Sequence, residues 1–305
     1  MSSAVRSTDE GLRGRDFLHV GDLSRDELRA ILDLALDIKA GRYRDQPLAG
    51  RHVAMLFQRP SHRTRVSFEV GIGRLGGRWT TLGENDVQLG VRESVADAAR
   101  VLDRYVDLVV ARLKTQADLD ELAGAAEVPV INALTERSHP CQILADLLTL
   151  VEVHGSLDGL RVAYIGDGNN VCNSLIEAAP LTGLNLVVIN PAGYHPAAER
   201  AGGIEVTEDL GRVAGADAIY TDVWASMGQE AERRARVDAF REYQVNAELL
   251  ETAPRAVFLH CLPAHRGEEV TDEVIDGPQS VVFQQAGNRL YAQMALMAML
   301  VGDPT

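Results

Sequence analysis

Hydrophobic and polar positions along the chain follow two rhythms in turn. Between residues 24 and 40, apolar side chains recur every three or four positions, at Leu28, Ile31, Leu32 and Ala35, the spacing of one buried helix face. Ser24 and Glu27 form a capping-box pair ahead of that stripe, and Gly41 stops it. Residues 52–57 are a short apolar run that predicts a strand. The pattern then predicts a helix over 63–75, a strand over 78–82, a helix over 94–105 and strands over 107–111 and 129–132. A long helix starts near His139, with Pro140 suited to its first turn. A second series predicts a strand over 161–165, a helix over 170–181 and a strand over 185–190. Strands near 216–221 and 256–260 follow, then a strongly apolar helix over 285–300.

Strand–helix alternation of this kind predicts an α/β protein whose parallel sheets carry helices on both faces. A length of 305 residues suits two such domains. The domain change is expected near 138–155. One domain spans 1–138 and is rejoined by a C-terminal helix at 285–305; the other spans 139–284, and long helices join the two.

Charge and cysteine usage narrow the function. The formal net charge is −14, so there is no basic excess to hold a nucleic-acid backbone. Any phosphate must be held by a local arginine cluster. Cys141, Cys172 and Cys261 are widely spaced and form no CxxC pair, which argues against a disulfide framework or a structural zinc and fits a reducing cytoplasm. No run of about 18 apolar residues exists to span a membrane. Residues 1–15 are polar and lack the apolar stretch of a signal peptide.

Five segments could carry chemistry. Ser61, His62, Arg63, Thr64 and Arg65 lie between a strand and a helix, where free backbone N–H groups, hydroxyls and arginines together suit an oxyanion. His139 and Gln142, one turn apart at a helix start, could both reach one carbonyl oxygen; a helix cap with a core histidine is the plainer account. Gly166-Asp167-Gly168-Asn169-Asn170-Val171 follows a strand as a dinucleotide-binding turn would. Its third glycine position is Val171, however, and the next strand ends in Asn190 rather than an acid for ribose. The paired asparagines suit a small polar ligand such as an amino-acid head group. The segment from Asp222 to Gly228 ends a strand with an acid and, at Ser226, a hydroxyl, a pair able to hold an ammonium or to form an ordinary turn. His260-Cys261-Leu262-Pro263 follows another apolar strand, and a lone thiol there is equally compatible with inert burial.

Taken in this order, the five segments resemble the ornithine branch of the transcarbamylases, the aspartate/ornithine carbamoyltransferase family, over about residues 17–300. The wider family is matched by Ser61 to Arg65 and by His139-Pro140-Cys141-Gln142. The ornithine branch is matched by Asp222 to Gly228 and by His260-Cys261-Leu262-Pro263; an aspartate-specific relative is expected to carry proline where Cys261 stands. The resemblance implies an N-terminal carbamoyl-phosphate domain, an ornithine domain after it, and a homotrimer with shared sites, into which Gln88 would reach from the neighbouring subunit. Ser61, Arg63, Thr64 and Arg65 would bind phosphate, beside His62, which departs from the uncharged residue usual there. Arg112, His139, Gln142 and Arg289 would surround the carbamoyl group. Asn170, Asp222, Ser226 and Met227 would hold ornithine. Cys261 and Leu262 would sit beside both substrates, with Cys261, Asp222, Arg112 and His139 acting in catalysis. The implied reaction makes citrulline and phosphate in arginine biosynthesis, without metal or organic cofactor. A transcarbamylase for putrescine or N-acetylornithine is the alternative, and a nicotinamide-dependent dehydrogenase a more distant one.

Overall fold

The computed structural model describes residues 11–225 and 230–301. These pack as two units, each around its own parallel sheet. Of the described residues, the first holds 11–18, Asp22–Thr135 and 290–301; the second holds His19–Gly21 and the rest, within Glu136–Arg289.

The first unit opens with α1 (Arg25–Lys39). Ser24 Oγ accepts from Glu27 N–H and Glu27 Oε2 accepts from Ser24 N–H, so both halves of the capping box are made. Leu28, Ile31, Leu32, Ala35 and Ile38 form its buried stripe. The strands are β1 (His52–Phe57), β2 (Arg78–Gly83), β3 (Leu108–Arg112) and β4 (Val130–Leu134), ordered β2-β1-β3-β4 and all parallel. β3 and β4 are buried throughout, as continuous apolar runs in a doubly covered parallel sheet should be. The connecting helices are α2 (His62–Arg74), a short α3 (Glu84–Val87), α4 (Val95–Leu102) and α5 (Gln116–Ala125). The periodicity carried α4 on to residue 105. It stops at Leu102 because Asp103, its C-cap, turns its carboxylate to the N–H groups of Glu127 and Val128. Gly77 is required between α2 and β2, since a Cβ there would lie 2.8 Å from Leu48 and 2.9 Å from Ile72.

The second unit contains α6 (Pro140–His154), β5 (Arg161–Ile165), α7 (Asn170–Thr182), β6 (Asn185–Ile189), α8 (Ala198–Ala201), β7 (Glu205–Thr207), β8 (Ala218–Thr221), α9 (Arg233–Phe240), α10 (Ala247–Glu251), β9 (Val257–His260) and α11 (Asp272–Ile275). Its sheet is parallel in the order β7-β6-β5-β8-β9. Ile165, Ile189, Ile219, Phe240, Phe258 and Val282 belong to one of its cores. The last helix, α12 (Val282–Val301), starts three residues before the apolar pattern indicated. Its first residues belong to the second unit and its last to the first, where Gly71 of α2 lets Met294 and Met297 approach closely.

Candidate active site

In an open parallel sheet, ligands collect outside the carboxyl ends of the strands, where the strand order reverses. In the first sheet that point lies between β1 and β3. β1 delivers the 58–61 segment to the start of α2, and Arg112 closes β3, with Phe57 and Arg112 in register. Ser61 is the N-cap of α2. Its Oγ accepts from Thr64 N–H at 3.3 Å and lies 3.0 Å from Thr64 Oγ1. The first turn carries no acidic side chain, so the positive end of the helix is not neutralised locally. Thr64 and Arg112 are buried, Arg63 is half-buried, and His62 and Arg65 are exposed. Arg65 pairs with Glu69 one turn on, where Nε lies 2.8 Å from Oε1. Hydroxyls, helix amides and a buried guanidinium thus lie at the carboxyl ends of neighbouring strands, a set of groups suited to an anion. Gln88 is exposed at the left-handed end of α3 with φ +45° and lines one cleft with Phe57 and Gln58.

In the second sheet the order reverses between β5 and β8. The Gly166–Asn170 turn follows β5, Asp222 follows β8, and Cys261 follows β9. Cys261 Sγ donates to Asp222 Oδ1 at 2.9 Å. Val223 N–H donates to the same oxygen at 2.8 Å, and Asn169 Nδ2 donates to Oδ2 at 2.7 Å. Three donors on one carboxylate fix its orientation. Asn169 was not singled out in the sequence, where Asn170 was preferred. It does two things: its Nδ2 holds Asp222, while its Oδ1 caps α7 by accepting from Val171 and Cys172 N–H. Asn170 is half-buried as the first residue of α7. Ser226 and Met227 lie outside the described residues.

The same turn disposes of the dinucleotide reading. The α7 amides that would cradle a pyrophosphate are already bonded to Asn169. Gly168 N–H donates to Tyr194 O at 2.9 Å, and a Cβ at Gly168 would lie 2.4 Å from Pro196 N. The 191–196 segment covers the place a phosphate needs. Below it, Arg236 braces the turns after β5 and β8: Nη1 lies 2.9 Å from Asp167 Oδ2 and 3.1 Å from Trp224 O. Burial pushes the Asp167 carboxyl up, and Arg236 opposes that shift.

The turn holding Cys261 and Leu262 has its own support. Leu262 N–H donates to His260 Nδ1 at 2.9 Å, so the imidazole proton sits on Nε2, which faces Glu269 Oε1 at 3.1 Å. Glu269 also accepts from His265 N–H at 2.6 Å. His260 and Glu269 are both fully buried and hold Leu262 at φ +55°, a conformation rare for a branched residue.

His139 is the N-cap of α6, buried, with its N–H donating to Ser174 Oγ at 2.9 Å. Gln142 Oε1 accepts from Arg289 Nη1 at 2.7 Å, so two residues far apart in the chain meet within the second unit. Cys141 is an inert thiol, pushed up to about 12 by burial. Cys172 is buried and shifted the same way. The second unit therefore offers a carboxylate–thiol pair suited to a cationic amine, together with a guanidinium, an amide and an imidazole suited to a polarised carbonyl.

Comparison with known proteins also gives two domains, with edges that place α6 beside the first sheet in sequence. Residues 15–152 match the carbamoyl-P binding domain of aspartate/ornithine carbamoyltransferase, and residues 158–300 match its Asp/Orn binding domain. The chain is 51% identical to an ornithine carbamoyltransferase of Symbiobacterium thermophilum, over 95% of this chain and 99% of that one. It is 49% identical to an anabolic ornithine carbamoyltransferase of Pyrococcus furiosus, over 95% and 98%. Among solved structures, an ornithine carbamoyltransferase from Pyrococcus furiosus superposes with a TM-score of 0.91 at 48% identity, covering 97% of this chain and 99% of that one. One from Thermus thermophilus gives 0.87 at 46%, covering 93% and 98%.

Proposed function

The chain belongs to the aspartate/ornithine carbamoyltransferase family, and from that premise we propose that it transfers the carbamoyl group of carbamoyl phosphate to the side-chain amine of L-ornithine, giving L-citrulline and phosphate. The observation that carries the choice of amine is the Cys261–Asp222 contact. An ionised carboxylate at the ligand end of the second sheet attracts an ammonium group and repels the dicarboxylate aspartate.

Ser61, Arg63, Thr64 and Arg65 bind the phosphate, with exposed His62 at its border. Arg112, His139, Gln142 and Arg289 polarise the carbamoyl carbonyl and stabilise the oxyanion formed on attack. Each such preorganised donor contributes about 2.7–4 kcal/mol in the transition state. Carbamoyl phosphate is already an activated acyl donor, so the arginines supply the charge that the reaction needs. Asp222 receives the ammonium of ornithine, with Asn170, Ser226 and Met227 around the rest of the molecule. Leu262 contributes its backbone, and Cys261 lies where the attacking amine passes. That amine must lose a proton first. With an ordinary pKa of about 10.4, presenting it neutral at pH 7 costs roughly 4–5 kcal/mol. The Asp222–Cys261 pair orients it and helps to take the proton.

The protein works in the cytoplasm as a homotrimer with Gln88 reaching into the neighbouring site, in the synthetic direction of arginine metabolism. Val66 and Val70 of α2 and Trp79 of the edge strand β2 are partly exposed apolar side chains suited to such self-association. One curated relative and one solved structure are named anabolic, which supports the direction. No helix among the described residues is long and apolar enough to cross a membrane. The activity is tested by supplying carbamoyl phosphate and ornithine and following both products. Citrulline and phosphate should appear one for one; phosphate release without a ureido product would reject the transfer.

A further inference from the structure

α6 is buried over residues 140–150, yet Gln142, Asp146 and Thr149 on it are polar and share one face. α12 meets that face with Gln285, Asn288 and Arg289 at matching spacing. Gln285 Nε2 donates to Asp146 Oδ1 at 2.7 Å, Asn288 Nδ2 to Thr149 Oγ1 at 2.8 Å, and Arg289 Nη1 to Gln142 Oε1 at 2.7 Å. Gln142 Nε2 completes the ladder by donating to the same Asp146 Oδ1 at 2.8 Å. A primary amide has one donor end and one acceptor end. An ionised Asp146 therefore decides which way both glutamines point. With Nε2 of Gln142 committed to the carboxylate, its Oε1 is turned to Arg289. With Nε2 of Gln285 committed, its Oε1 accepts from His260 N–H at 2.9 Å, one residue before Cys261.

A carboxylate that is 1% exposed is costly to keep unless it has a use. We propose that Asp146 is a positioning residue for carbamoyl transfer: its carboxylate fixes the amide orientation of Gln142 and Gln285, and so aims Gln142 Oε1 and Arg289 at one end and the backbone of residues 260–262 at the other. The inference rests on the carbamoyl-transfer reading given above. The charged and titratable groups facing Asp146 are Arg289 from α12 and Tyr220 from β8; the neutral amides of Gln142 and Gln285 complete its surroundings. Burial pushes Asp146 up to about 6, with the hydrogen bonds from Gln285, Gln142 and Tyr220 and the charge of Arg289 opposing that shift. Asp146 Oδ2 is buried without a hydrogen-bond partner, so a proton there leaves Oδ1 a neutral carbonyl acceptor, and both amides then lose the charge-assisted bonds that fix their sense. Competence belongs to the ionised form and is lost as pH falls through about 6.

The test is the pH profile of kcat/KM for carbamoyl phosphate in the full-length wild type, Asp146→Asn and Gln285→Met, with ornithine saturating. At pH 8 Asp146→Asn should be slower by roughly tenfold to a hundredfold, the scale of a misplaced binding group. The ratio of wild type to variant should shrink below about pH 6, where the wild type also loses its charge. Gln285→Met removes a donor that favours the ionised form, so its acid limb should move to higher pH, and this variant carries the test if Asp146→Asn does not fold. A ratio that stays constant with pH, or an acid limb that Gln285→Met leaves in place, would assign Asp146 to packing alone and overturn the proposal. Equal activity of wild type and Asp146→Asn would overturn it while leaving the enzymatic reading intact. No citrulline from the wild type would remove the activity and the positioning role together.

Discussion

Replacing Asp222 by asparagine probes the amine-recognition half of the site at a single charge. The side chain keeps its shape, and Oδ1 can still accept from Cys261 Sγ and Val223 N–H. The new amide nitrogen, however, faces Asn169 Nδ2, which donates to Asp222 Oδ2 at 2.7 Å in the wild type. Two donors then oppose each other, and the carboxylate proposed to attract the ammonium is gone. A hydrogen bond to a charged group contributes about 1.5–3 kcal/mol, which converts to roughly a 10- to 150-fold loss in kcat/KM for ornithine. The assay is initial citrulline formation at pH 8 with ornithine varied and carbamoyl phosphate saturating. A double variant, Asn169→Asp with Asp222→Asn, restores the donor–acceptor match and the net charge but moves the charge by one side chain. It should regain thermal stability and not kcat/KM. Activity of Asp222→Asn within threefold of wild type would refute the role of Asp222, and so would full recovery of activity in the double variant.

Three further outcomes are expected. Arg112→Ala should fold normally and lose on the order of a hundredfold or more in turnover, because one preorganised oxyanion donor is removed; circular dichroism with steady-state kinetics checks both parts. Ser24→Ala removes the side-chain acceptor at the start of α1 and should cost on the order of 1 kcal/mol in denaturant unfolding, without changing KM. Asp146 binds its proton more readily folded than unfolded, with a folded value of about 6 against 3.8. The native state therefore loses stability as pH rises from 4 to 7, by about 3 kcal/mol from this group. Asp146→Asn lacks that loss, so its stability relative to wild type should improve over the same range; a difference that does not change with pH would contradict the burial argument.

Much of the fold was legible because its elements are local. The capping box at Ser24 and Glu27 and the stripe from Leu28 to Ala35 specify α1 without tertiary help. The apolar runs of β1, β3 and β5 specify buried parallel strands. Helix ends were less legible when a distant group set them, as Asp103 does by turning to Glu127 and Val128. The site divides in the same way. Ser61 at the start of α2 and His139 at the start of α6 could be read from a hydroxyl, a proline and a change of period. Asn169 was passed over for its neighbour because adjacent asparagines look alike until backbone geometry assigns one to the cap and to Asp222. Asp146 and Gln285 left no trace beyond polar residues within apolar runs; their pairing across 139 positions exists only in the packed unit. Glu269 reads as one more acid in a charged loop until its burial against His260 is seen.

The most direct test of the central claim is a comparison of kcat/KM across a panel of amines with carbamoyl phosphate held saturating: ornithine, lysine, putrescine, N-acetylornithine and aspartate. The account predicts that ornithine exceeds every other amine by a wide margin, with aspartate inactive because Asp222 repels it. Preference for putrescine or N-acetylornithine, or carbamoylation of aspartate, would contradict it.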